Sequence, residues 1–196
     1  MASNEQNQKT AKLSKVFEDF LRAVGQSPAS RDELMETPVR ASAMWLGELL
    51  DGYEWDPQEI LSATQPLAGN RDMVLIRDLF FHSTCPHHLL PYHGIAHVAY
   101  IPSDRIVGLS RISRLLDCFA HRLIIQEEVG QQVAQALVDH LNAEWAACML
   151  DTEQLCMVIR GVRKPGSRAI TTSYAGSLAL DSDLRREFLV ALGQED

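Results

Sequence analysis

The sequence predicts an α+β fold, with helices and antiparallel strands in one domain behind a helical leader. Three observations predict it. Apolar residues of the front third recur at helical spacing, the middle carries β-prone runs separated by turn signals, and the later helices are interleaved with hairpins of strands. With 196 residues, 46% of them hydrophobic, the chain has enough apolar material for one core.

Residues 1–10 are polar and are expected to fray. From Leu13 the positions Leu13, Val16, Phe17, Phe20, Leu21 and Val24 form one helical stripe that stops at Gly25. Ser30-Arg31-Asp32-Glu33 has the pattern of a capping box, and Thr37-Pro38 that of an N-cap followed by proline at the first helical position. The helix opened there carries Val39, Ala43, Leu46 and Leu50 on one face and ends near Gly52. Residues 57–71 lack periodicity and are expected to be a linker.

Met73–Phe81 reads as a strand interrupted by Arg77-Asp78, and Ile95–Ile101 as a second, turned by Pro102-Ser103-Asp104. A short segment, Ile106–Ser110, leads into a helix from about Arg111 to Leu123, with Ile112, Leu115, Leu116 and Phe119 as its core stripe. Cys118 and His121 on that helix are expected to be packing or surface residues. Gln126-Glu127-Glu128 opens a further helix, its acidic first turn suiting the helix dipole. Trp145–Leu150 and Glu153–Ile159 read as paired strands around an Asp151-Thr152 turn, which puts Cys156 in mid-strand and leaves Cys148 as a small core residue. A basic loop, Arg160–Arg168, then a strand, Ala169–Tyr174, and a helix, Asp181–Leu192, close the sequence.

A formal charge of −8 argues against nonspecific nucleic-acid binding by the whole molecule. Four cysteines, no signal-peptide pattern and no long apolar run lead to the expectation of a cytoplasmic protein with no membrane partner. In that setting Cys85 and Cys156 are better metal ligands than disulfide partners. Cys85 and His88 lie three apart, so one turn can offer a thiolate and an imidazole to a single ion. Cys156, brought in by folding, would make three protein ligands and leave one position open, the pattern of catalytic zinc. His87, beside a ligand, could move protons near neutral pH. Taken alone, Cys-x-x-His is also the content of a buried turn with incidental Cys and His.

Several separate stretches resemble the GTP cyclohydrolase I family. They are Thr37-Pro38-Val39-Arg40, Cys85-Pro86-His87-His88-Leu89-Leu90-Pro91, Ala96-His97-Val98-Ala99-Tyr100-Ile101-Pro102, Gly108-Leu109-Ser110-Arg111, Gln126-Glu127 and Cys156–Lys164. They occur in family order and at family spacing from roughly Leu13 to Leu192. The resemblance implies the tunnelling fold, an antiparallel sheet with helices on one face, as a catalytic domain over 57–196 behind an N-terminal helical extension over 1–56. It implies a homodecamer, a zinc ion (Zn2+) on Cys85, His88 and Cys156, and hydrolytic opening of the imidazole ring of GTP toward dihydroneopterin triphosphate. His87 would be the proton-transfer residue. Gln126 and Glu127 would read the guanine and help place the ribose, while Arg40, Ser110, Arg111, Arg114 and Arg160 would hold the triphosphate.

Three positions depart from the family pattern. Pro86 stands in place of glutamate, Ala43 in place of a phosphate-binding lysine, and Gln154 in place of a second active-site histidine. A glutamine amide hydrogen-bonds but does not take up and release a proton near pH 7. The alternatives to a standard cyclohydrolase are therefore a diverged paralog with another product or purine nucleotide, and a noncatalytic nucleotide- or pterin-binding member.

Overall fold

The structure, a computed structural model, describes residues 2–193 and divides after Asp51 into two compact units. The expectation of a frayed start falls partly on Met1, outside the described residues. From Ala2 onward the chain is helical instead. Helix α1 spans Ala2–Ala23, and ion pairs four residues apart, Lys9–Glu5, Lys15–Asp19 and Arg22–Glu18, run along it. Gly25 ends this segment at φ 78°, where a side chain would be strained.

The capping box does not form as read. Pro28–Ser30 and Asp32–Leu34 are two separate 3-10 turns, and the second starts from Arg31 without a side-chain cap. Helix α2 covers Thr37–Met44 with Glu36 at the cap position, one residue earlier than Thr37-Pro38 suggested. Thr37 is already helical, and its hydroxyl donates back to the Glu33 carbonyl at 3.3 Å. A wider π turn, Trp45–Leu49, continues α2.

In the second unit the expected linker contains two elements. Helix α3 is Pro57–Leu61, capped by the Asp56 carboxylate, which accepts from Gln58 N–H at 2.8 Å. Strand β1, Thr64–Pro66, pairs with strand β4, Arg105–Val107. Elements of three to five residues are too short to leave a periodic signature, which is why this stretch looked featureless.

The main sheet is antiparallel in the order β2-β3-β5-β6, formed by Val74–Thr84, Pro91–Ile101, Trp145–Gln154 and Ala169–Ala175. Arg77-Asp78 is a bulge: the β2–β3 register slips between Ile76 and Leu79, and Asp78 sits at φ 60°. Helices α4 (Leu109–Ala120) and α5 (Gln126–Leu141) bring Ile112, Leu115, Val129, Val133 and Leu137 into one core with Ala96, Val98, Tyr100, Cys148 and Leu150. The alternate strand positions Ala99, Ile101, Trp145, Ala147 and Met149 form a second cluster with Phe188 of α7, Ser182–Ala191, on the opposite face. Cys118 and Cys148 are fully buried, and His121 stacks on His82 with ring centroids 4.4 Å apart.

The expected Asp151-Thr152 turn is absent. β5 runs unbroken through it, with Asp151 opposite Ile95 on one side and Ile170 on the other. A strand paired on both edges cannot reverse in mid-ladder. It ends at Gln154, and Leu155–Val158 forms a single helical turn, α6, so Cys156 sits on that turn and not in a strand.

Candidate active site

Six residues, Cys85–Leu90, link β2 to β3. The loop is closed by Cys85 N–H donating to the Leu90 carbonyl at 2.9 Å and Leu89 N–H donating to the Cys85 carbonyl at 3.0 Å. Leu89 adopts φ 54° to make the reversal. The β3–β5 register pairs Tyr92 with Gln154, so the start of β3 lies beside the end of β5. That pairing carries Cys156, two residues past Gln154, to the loop. The ligand atoms of Cys85, His88 and Cys156 all lie within 4.8 Å of one another, the one such Cys, His or carboxylate cluster among the described residues.

The three donors differ in exposure: Cys85 is buried, Cys156 partly buried and His88 exposed. Two sulfurs and an imidazole are borderline-soft donors that suit zinc, and three of them leave a position for another ligand. Burial pushes the Cys156 thiol up, reinforced by the neighbouring Cys85, while Arg160 opposes the shift. Arg160 is thereby within electrostatic reach of the donor set. His87 is exposed; its Nδ1 lies 3.6 Å from Cys85 Sγ, and its ring meets that of His88 edge-on at 6.3 Å between centroids.

Gln126 and Glu127 open α5 close by. The phenol of Tyr92 donates to the Ile124 carbonyl at 3.2 Å, just ahead of the helix. Burial raises that phenol far above its ordinary range, and Cys85, Glu127 and Glu128 add to the rise by their charge. Glu127 is exposed. Gln126 is 3% exposed, and both ends of its amide are engaged by the protein. Its Nε2 donates to the Leu150 carbonyl, the Ala169 carbonyl and Thr171 Oγ1, at 3.1, 2.9 and 3.1 Å. Its Oε1 accepts from Thr152 Oγ1 at 2.5 Å and from Gln154 Nε2 at 2.9 Å. A side chain so used ties α5 to β5 and β6. Thr152, fully buried at the centre of this network, carries no sequence signal of its role, because Asp151-Thr152 has the composition of a turn.

Unlike Arg160, the residues Ser110, Arg111 and Arg114 line cavities that the metal donors do not. Ser110 and Arg111 line a cavity of about 340 Å³ with Gln65, Val74 and Tyr100. Arg111 and Arg114 line another of about 530 Å³ with Glu54, Asp56 and Glu59. Neither cavity is lined by Cys85, His88 or Cys156. Arg111 also donates to the Ile60 carbonyl at 2.7 Å, which anchors it to the end of α3. Arg40, in the first unit, is exposed and paired with Glu36.

A family model described as GTP cyclohydrolase I matches residues 13–193. The GTP cyclohydrolase 1 of Dehalococcoides mccartyi is 41% identical over 185 residues, 93% of this chain and 96% of that protein. Those of Streptococcus suis and Campylobacter lari are 41% and 38% identical over 182 residues, 92% of this chain in both cases and 96% and 94% of theirs. With the model running over nearly the whole chain and relatives aligned almost end to end, the chain belongs to the GTP cyclohydrolase I family.

Proposed function

We propose that this protein is a zinc-dependent GTP cyclohydrolase I that opens the imidazole ring of GTP toward dihydroneopterin triphosphate, the first step of pterin and folate biosynthesis. The observation that carries the proposal is the meeting of Cys85, His88 and Cys156 within 4.8 Å, in a chain of this family, with Glu127 nearby at the start of α5. The donor set fits zinc, and Cys85, His88 and Cys156 would hold it. Bound there, the ion supplies Lewis acidity and lowers the pKa of a coordinated water to about 7.

The remaining work falls to the protein's own groups. His87 exchanges protons with the reacting nucleotide near neutral pH. Glu127 accepts two adjacent N–H donors of guanine, a pair that adenine does not present. Arg160, beside Cys156, with Arg111, Arg114 and Arg40 supply the positive charge for a triphosphate, and Ser110 adds a neutral hydrogen-bonding hydroxyl. Because the Ser110–Arg114 cavities and the metal donors are separate within one chain, the complete pocket is proposed to form between copies in a homodecamer. The proposed setting is cytoplasmic, with neither nucleic acid nor membrane as partner. Among the described residues, no helix is long and apolar enough to cross a membrane.

Gln154 decides the rate. It hydrogen-bonds but does not shuttle protons, and general acid–base help contributes roughly 10²–10⁴-fold. A product time course by mass spectrometry, at matched zinc occupancy, tests the reading. Slow GTP consumption with a ring-opened formamide species ahead of the pterin is expected, and Gln154→His should speed pterin formation by about tenfold or more. No reaction of either protein with any guanine nucleotide would overturn the proposal.

A further inference from the structure

We propose that Gln154 is a hydrogen-bond acceptor of fixed direction for a ribose hydroxyl, and that Thr152 and Gln126 are the positioning residues that set that direction; the inference rests on the nucleotide reading above.

The direction follows from a chain of hydrogen bonds whose polarity is fixed at one end. The carbonyls of Leu150 and Ala169 can only accept, and both lie on one terminal atom of the Gln126 amide, at 3.1 and 2.9 Å. That atom must be the NH₂ group. Reversing the amide would set oxygen against two carbonyls in a site that is 3% exposed. Gln126 Oε1 is therefore turned to Thr152 and Gln154, and it can only accept. The Thr152 hydroxyl gives its proton to it at 2.5 Å, so toward Gln154 that hydroxyl is an acceptor as well. The Gln154 atom that meets both acceptors, at 2.9 and 3.1 Å, must in turn be NH₂.

Gln154 Oε1 is left as the outward end. No donor among the described residues is within hydrogen-bonding reach of it, and it is not among the buried side-chain atoms that lack a partner. The residue is partly exposed, at the last position of β5, two residues before the metal donor Cys156. The result is a carbonyl oxygen whose direction is set by two buried side chains, on the residue two positions before the metal donor Cys156.

An acceptor selects donors. The phosphates of a nucleotide carry none at neutral pH, and the N–H pair of the guanine edge is assigned to Glu127. The donors that remain are the second hydrogen of the exocyclic amine, which belongs to the base edge held by Glu127, and the two ribose hydroxyls, to which the acceptor is assigned. A neutral imidazole at this position would show the same polarity, with one nitrogen donating inward and the other accepting outward. Gln154 thus keeps the hydrogen-bond pattern of a histidine without its proton exchange.

The test is calorimetric titration of the zinc-loaded protein at low temperature with GTP, 2′-deoxy-GTP and 3′-deoxy-GTP. One deoxynucleotide is expected to bind roughly three- to tenfold more weakly than GTP, the range of a neutral hydrogen bond. Gln154→Ala should remove that difference. Thr152→Val keeps the shape of the side chain but releases the Gln154 amide, and should remove most of the difference, whereas Thr152→Ser should restore it. Circular dichroism checks that each variant is folded. Equal binding of all three nucleotides to the unmodified protein, or an undiminished difference in Gln154→Ala, would overturn the inference and leave the proposed function standing. Failure of every guanine nucleotide to bind would overturn both.

Discussion

Replacing Gly94 by alanine tests how β3 lies against β5, the contact on which the whole site depends. Gly94 is opposite Thr152, and a Cβ built on it would lie 2.0 Å from the Asp151 carbonyl oxygen, 2.7 Å from Thr152 Cα and 2.9 Å from Asp151 C. All three are main-chain atoms, so no rotamer change relieves the clash. Ordinary carbon contacts are about 3.5–4.0 Å, which means the strands must part locally by about 1.5 Å. At that separation the nearest ladder hydrogen bonds are lost, at about 1 kcal/mol each, on top of about 1–3 kcal/mol for overpacking. The expected destabilisation is about 3 kcal/mol or more, at least a hundredfold in the folded-to-unfolded ratio. Urea unfolding at fixed protein concentration measures it, with Gly47→Ala as the control. A Cβ on Gly47 meets nothing within 4 Å, and alanine there should stabilise by about 0.5–1 kcal/mol. Zinc affinity should fall together with stability in Gly94→Ala, because the displaced end of β5 leads directly to Cys156. An unchanged midpoint for Gly94→Ala would refute the β3–β5 register.

Two further outcomes are expected. GTP should bind roughly ten- to hundredfold more tightly than ATP, the range of a hydrogen bond to a charged group, and Glu127→Ala should abolish the gap in calorimetric titration; equal affinities in the unmodified protein would remove Glu127 from base recognition. The protein should sediment as a large homo-oligomer, a decamer by the family resemblance, and a monomer at micromolar concentration would sink the pocket between copies.

Long elements were legible in the sequence because their patterns are local. The stripe from Leu13 to Leu21 lies in α1, with Val24 in the turn just past its end, and Ile112, Leu115 and Leu116 are buried core positions of α4. The disruption at Arg77-Asp78 was visible as two charged residues in an apolar run, and it is a bulge. Short elements were not legible, since α3 and β1 are below the length at which a period can be counted. Asp151-Thr152 misled for a different reason. Polar residues in an exposed chain favour turns, but here Asp151 faces Arg168 and Thr152 is buried under Gln126, so tertiary partners outweigh the local preference. At the site, Cys85 and His88 announce themselves by spacing, whereas the closeness of Cys156 comes from the pairing of β3 with β5. The use of Gln126 inside the protein has no sequence signal at all, because its partners include two main-chain carbonyls.

The measurement closest to the central claim joins metal content to product. Zinc per chain and formate released from GTP are to be determined on the same preparations of the unmodified protein, Cys156→Ser, Cys118→Ser and Cys148→Ser. One zinc per chain and formate release are expected in the unmodified protein. Both should be lost in Cys156→Ser and retained, per folded chain, in the other two, whose sulfurs are fully buried outside the donor cluster. Equal metal loss in all three variants, or formate release by metal-free Cys156→Ser at the unmodified rate, would contradict it.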